Sequence, residues 1–245
     1  MELTYEAIAG RIDHALLLPT MTEEEMTAGC RMAARYEVAS VCIKPFAVAL
    51  AVEALGASSV RVGTVVGFPH GGQAAAVKVA ETRAALADGA AEIDMVVNIG
   101  RVLGGRWDDV AAEIRAIHEV TRAAGGLLKV IFETCYLDEA QKIRLCEICG
   151  AIGVDYVKTS TGFGTGGATE GDIQLMRRVC PPHVKVKASG GIRDLDAAIR
   201  LSELGAERLG LSGTATILDA LCDRLGLPRR DVSRETRPAS TAGNY

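Results

Sequence analysis

Eight times along the chain a short apolar run is followed by a stretch with helical spacing, with turn residues between them. The strand-like runs are 12–17, 38–43, 60–67, 91–97, 127–133, a sixth carrying Lys158, a seventh carrying Lys187, and 207–211. They are continuously apolar rather than alternating, which calls for a parallel sheet covered on both faces. Eight such units close into an α/β fold of the (β/α)8 TIM-barrel type. A length of 245 residues, 49% of them hydrophobic, suits one such barrel and its core.

Helix ends carry their own signals. Thr22 with Glu25 and Thr169 with Asp172 are expected to form capping boxes. Asp194 should cap the helix 195–204 that Gly205 closes, and Gly226 with Pro228 should end a last helix begun near Thr214. Residues 1–228 therefore read as a single barrel domain. Residues 229–245 are polar, contain Pro and Ser and lack a period, so they read as a mobile tail.

Composition narrows the function. The formal net charge is −4 and no basic stripe with interleaved aromatics occurs, so a nucleic-acid partner is not expected. The start is charged where a signal peptide would be basic and then apolar, and no stretch is long enough to span a bilayer. No membrane association and a cytoplasmic location follow as expectations. The seven cysteines are an odd number scattered through apolar segments and read as reduced thiols. Cys146 and Cys149 form a lone C-x-x-C, and His14 and His70 lack a second ligand at metal spacing. Both histidines are expected to be hydrogen-bonded structural groups, and neither metal nor cofactor is expected. P-loop, dinucleotide and nucleophile-elbow motifs do not occur.

The chemistry gathers at strand ends. Lys158 closes an apolar run and is followed by Thr159-Ser160-Thr161-Gly162-Phe163-Gly164, and Lys187 stands in the same setting before Gly190-Gly191. A buried amine can lose its proton near neutral pH and attack a carbonyl to form a Schiff base. The alternative is a lysine that snorkels to solvent. Two ammonium groups about 6 Å apart at an effective dielectric near 20 repel by roughly 3 kcal/mol, which depresses one of them by about two pKa units. This reasoning pairs the two lysines without deciding which is the nucleophile.

Asp94 lies inside the fourth strand and should meet a cation, with Lys129, Lys158 and Lys187 available. Lys129 reads equally as a barrel-floor residue or a catalytic one, and Lys185 shares the face of Lys187. Barrels of this class often hold a phosphate on the loops after strands seven and eight. Those loops carry Gly190-Gly191-Ile192-Arg193 and Gly210-Leu211-Ser212-Gly213, and the turn containing Gly162 would close a third side.

Through these motifs, together with Ile12-Asp13-His14, Val41-Cys42-Ile43, Gly67-Phe68-Pro69-His70-Gly71 and Glu92-Ile93-Asp94-Met95, the chain resembles the deoxyribose-phosphate aldolases over about residues 8–225. The resemblance implies a class I aldolase that reversibly cleaves 2-deoxy-D-ribose 5-phosphate to D-glyceraldehyde 3-phosphate and acetaldehyde, without metal. By the same match Lys158 is the Schiff-base lysine, Lys187 the cation that lowers its pKa, and Asp94 the general acid/base working through a water. Family members often end in a tyrosine that assists proton transfer, a role that would fall to Tyr245. The small-molecule partners implied are the phosphosugar and acetaldehyde, and a homodimer is expected. The family usually has threonine where Ala15 stands and lysine where Leu18 stands, which bears on substrate preference. Cys42 is a candidate target for reactive aldehydes. Two other readings are a Schiff-base aldolase for a different phosphorylated sugar and a silent phosphosugar-binding barrel.

Overall fold

The computed structural model describes residues 2–232. The first elements are α1 (Tyr5–Ala9), β1 (Ile12–Leu16), α2 (Glu23–Arg35), β2 (Ser40–Ile43), α3 (Val48–Leu55), β3 (Arg61–Val66) and α4 (Ala75–Ala87). There follow β4 (Glu92–Val96), α5 (Ile99–Leu103), α6 (Trp107–Ala123), β5 (Leu127–Ile131), α7 (Glu139–Ile152) and β6 (Tyr156–Lys158). The last are α8 (Glu170–Val179), β7 (Lys185–Ser189), α9 (Leu195–Glu203), β8 (Ala206–Leu211) and α10 (Thr214–Leu225). Each strand pairs in parallel with the next and β8 closes on β1, so the expected eight-stranded barrel is formed.

Alternate residues of each strand serve different layers, as the two-residue side-chain period requires. Ile93 and Met95 of β4, Leu128 and Val130 of β5, and Val186 and Ala188 of β7 face outward and join the apolar core under the helices. Asp94 stands level with Lys129 across β4–β5, and Lys158 with Lys187 across β6–β7, so these side chains share the inner face. Between Val186 and Lys187 the pairing with β8 shifts register, which brings Lys187 opposite Arg208.

Local signals placed most helices. Thr22 and Glu25 form the expected reciprocal cap on α2. At α8 only half of the expected box forms. Thr169 Oγ1 accepts from the Asp172 N–H at 3.1 Å, but the Asp172 carboxylate pairs with Lys142 at 2.7 Å instead of returning to the cap. Aspartate is one methylene shorter than the Glu or Gln of a standard box, and a cation was within reach. An unforeseen box joins Asp138 and Gln141 at α7. The one-turn helices α1 and α5 were also not foreseen, because five residues give too short a window for a period. Arg229 pairs with Asp223, and the Arg230 guanidinium lies 4.8 Å from the Tyr5 ring centre. The rest of the expected tail, with Tyr245, lies outside the described residues.

Candidate active site

The inner face carries a connected set of charges where many barrels carry branched aliphatics. One oxygen of Asp94, Oδ2, accepts from Lys158 Nζ and from Lys187 Nζ, each at 2.7 Å, and Oδ1 accepts from Lys129 Nζ at 2.7 Å. All three cations available to Asp94 therefore reach it. Lys129 also meets Glu92 Oε2 at 2.7 Å, and Arg208 holds Glu92 with two bonds of 2.9 and 3.2 Å. Lys187 donates a second hydrogen bond to Asp13. Asp13, Glu92 and Asp94 thus face Lys129, Lys158, Lys187 and Arg208, all of them buried.

Three carboxylates against four buried cations leave one positive charge in excess, and a low-dielectric interior disfavours that excess. Arginine keeps its charge, so among the three lysines the one with the fewest carboxylate partners has its charge most disfavoured. Lys187 sits between Asp13 and Asp94, which outweigh the cost of burial and hold its ammonium above the usual lysine range. Lys129 is likewise held well above it, by Asp94, Glu92 and Asp13 against burial. Lys158 has Asp94 alone, and its pKa is lowered, first by burial and then by Lys187. The expected pairing of the two lysines is therefore present, since both nitrogens touch one oxygen. Both expected causes act, burial more strongly than the neighbouring cation, and Asp13, given no role from the sequence, creates the asymmetry.

Asp94 is held well below the carboxylate range. Burial opposes its charge, but Lys129, Lys158 and Lys187 together overcome that effect. Lys129 is fully buried away from the cavity lining, where it anchors Asp94 and Glu92. Lys185 is exposed, with Nζ 5.7 Å from the centre of the Tyr156 ring, and Arg208 lies 5.5 Å from the same ring.

Above these charges a cavity of about 280 Å³ opens at the carboxyl ends of the strands. Lys158, Lys187, Asp13 and Cys42 line it below, and Ala15, Leu17 and Leu18 form an apolar wall. Gly162, Gly190, Gly191, Arg193, Ser212 and Gly213 line its mouth. Gly190 and Gly191 have φ of 84° and 79°, backbone that favours glycine. Gly213 is the N-cap of α10, so the first-turn N–H groups of that helix open toward the mouth. Gly210, expected to hold phosphate, lies deeper, within β8. A Cβ there would come 3.0 Å from Lys187 Cε, so its lack of a side chain makes room for that lysine.

His14 is buried, with Nδ1 2.9 Å from Thr214 Oγ1 at the start of α10, and burial lowers its pKa to about 4. His70 is exposed in the loop after β3 rather than built into a hydrogen-bonded core. Donor atoms of Asp13, Cys42 and Asp94 lie within 4.8 Å of one another. As a metal site this set fits poorly, because both carboxylates are engaged by ammonium groups and burial pushes the Cys42 thiol up to about 12. The protonated thiol also argues against rapid thiolate attack by Cys42 on aldehydes.

Glu133 was missed in the sequence. It is buried with φ 58°, and its carboxylate accepts from the Thr161 N–H at 3.1 Å and from the Thr161 hydroxyl, tying down the turn behind Lys158. Asp13 and Glu92 could have been found by the rule that singled out Asp94, since each is an acid inside an apolar strand.

A DeoC/LacD family aldolase model matches residues 8–221. The chain belongs to the DeoC/LacD family of aldolases. This aldolase is 48% identical to the deoxyribose-phosphate aldolase of Rhodopirellula baltica, over 94% of this chain and 95% of that one. It is 46% identical to that of Thermococcus gammatolerans, over 86% of this chain and 95% of the relative. Among solved structures, the aldolase QR15 superposes with a TM-score of 0.85 at 37% identity, covering 89% of this chain and 97% of the other. The deoxyribose phosphate aldolase of Aeropyrum pernix, described as a unique tetramer, does so with a TM-score of 0.81 at 32% identity, covering 89% and 92%.

Proposed function

We propose that this family member reversibly cleaves 2-deoxy-D-ribose 5-phosphate to D-glyceraldehyde 3-phosphate and acetaldehyde, with Lys158 as the Schiff-base amine. The observation that carries the reading is the asymmetry around Asp94. Of two lysines on one carboxylate oxygen, the one lacking a second carboxylate faces the cavity with its charge disfavoured.

Lys158 Nζ attacks the open-chain aldehyde at C1, and loss of water from the carbinolamine gives an iminium. The iminium draws the electrons of the C2–C3 bond as the C3 hydroxyl loses its proton, so C3 becomes the aldehyde of glyceraldehyde 3-phosphate. The enamine left on Lys158 takes a proton at C2, and hydrolysis releases acetaldehyde and the amine. Asp94 receives the C3 hydroxyl proton through a water. Its depressed proton affinity means the proton is held only briefly and returns through the same water to C2 of the enamine, while Lys187, already an ammonium, holds the shared oxygen in place. The backbone at Gly162, Gly190, Gly191 and Ser212, with the first turn of α10, holds the phosphate and fixes the register. The assistance expected from Tyr245 belongs to the same reading.

Among the described residues no helix is long and apolar enough to cross a membrane. A cytoplasmic enzyme that self-associates, as a homodimer or a larger assembly, completes the proposal. The deciding experiment is borohydride reduction in the presence of 2-deoxyribose 5-phosphate, followed by peptide mapping and an acetaldehyde assay. A two-carbon adduct on Lys158 with acetaldehyde release is expected. Substrate binding without an adduct, or an adduct on Lys187, would overturn the assignment.

A further inference from the structure

Two polar atoms at the cavity base have no partner among the described residues: Ser189 Oγ and Asp13 Oδ1. Both residues line the cavity, and they are 4% and 0% exposed. They flank the same residue. Ser189 pairs with Gly210 across β7–β8, and Gly210 pairs with Asp13 across β8–β1. Gly210, without a side chain, leaves the space in which Ser189 Oγ and Lys187 Cε stand, since a Cβ at position 210 would lie 2.2 and 3.0 Å from them. Nor is Ser189 loosely placed: its N–H donates to Thr159 Oγ1 at 3.1 Å and its carbonyl accepts from the same hydroxyl at 3.2 Å. A buried hydroxyl and a buried carboxylate oxygen left unsatisfied in a rigid wall call for a polar group from the ligand.

We propose that Ser189 is a specificity-determining residue that, with Asp13, binds the C4 hydroxyl of the phosphosugar at the cavity base beside Gly210. The inference rests on the aldolase reading above. The placement follows from chain order, because Ser189 lies two residues after Lys187 and directly before Gly190. A sugar joined at C1 to Lys158, with its C5 phosphate at the glycine turns, passes C4 over this part of the cavity base. The hydroxyl there donates to Asp13 Oδ1, already ionised beside Lys187, and accepts from Ser189. A substrate lacking the hydroxyl leaves both atoms unpaired, which turns a hydrogen bond into discrimination.

The test runs in the condensing direction, where the C2 hydroxyl of the acceptor aldehyde becomes the C4 hydroxyl of the product. Acetaldehyde is combined with D-glyceraldehyde 3-phosphate or with 3-oxopropyl phosphate, which lacks that hydroxyl. Ser189→Ala should lower kcat/KM for glyceraldehyde 3-phosphate by about tenfold and leave 3-oxopropyl phosphate within about twofold. Equal losses on both acceptors would assign Ser189 a structural or water-holding role, and no loss on either would leave its hydroxyl idle; each outcome overturns the proposal. Borohydride trapping of acetaldehyde alone on Lys158, equal in wild type and variant, certifies the fold. A wild-type protein that traps nothing would instead sink the aldolase reading on which this one stands.

Discussion

Ile93 and Asp94 are neighbours in β4 and both are fully buried, yet one faces the helices and the other the barrel axis. Ile93 belongs to a shell of aliphatic side chains that supplies stability. Asp94 belongs to a ring of ion pairs whose desolvation cost consumes most of their attraction. The outer shell holds a buried ion pair of its own, in which Lys78 donates to Val96 O at 2.8 Å and pairs with Glu113 at 3.0 Å, joining α4 and α6 to the end of β4. That pair has equal charges. The inner ring does not, and the imbalance is what makes an amine available. A fold that takes its stability from one face of its strands is free to hold an unbalanced charge set on the other.

Three substitutions test that division. Asp94→Asn should have the largest effect, because it strands Lys129 and Lys187 without their shared carboxylate. A loss of about 3–5 kcal/mol in urea unfolding is expected, together with a fall in kcat on the order of a hundredfold or more. Ile93→Ala, one residue away, should cost about 2–5 kcal/mol in the same unfolding experiment while the folded enzyme keeps its kcat. A comparable loss of kcat in Ile93→Ala would show that the two faces are not independent.

Lys187→Met also strands a carboxylate, that of Asp13, but its diagnostic effect is on pH. The proposed mechanism needs Lys158 as free amine, so the rate should fall as pH drops through the lowered Lys158 pKa. Removing Lys187 takes away a repelling charge and leaves Asp94 more fully to Lys158, and both changes favour the ammonium. The acid limb of kcat/KM should therefore move upward by about one to two pH units. A limb that stays in place would mean that burial alone sets the Lys158 pKa.

Much of this was legible in the chain. Continuous apolar runs at regular spacing, with Thr22 and Gly226 marking helix ends, led to eight parallel strands because each signal is local and repeats. Asp94 stood out because an acid in an apolar strand needs a cation. The same reasoning was not extended to Asp13 or Glu92, and the Thr169 box failed because Asp172 found Lys142, a partner in another helix. Glu133 gave no signal, since nothing local foretells φ of 58° in a residue whose carboxylate serves a turn 28 positions away.

The chain alone indicated the barrel, the strand ends that line its cavity and the pairing of Lys158 with Lys187, because periodicity, capping and glycine turns act over a few residues. Only the closed fold decided which lysine has its charge disfavoured. That choice depends on Asp13, 174 residues from Lys187, and on closure of β8 against β1, which gives Lys187 two carboxylates and leaves Lys158 one. Proton affinity in a buried site is set by how charges are shared across strands, and that sharing exists only once the ring is closed.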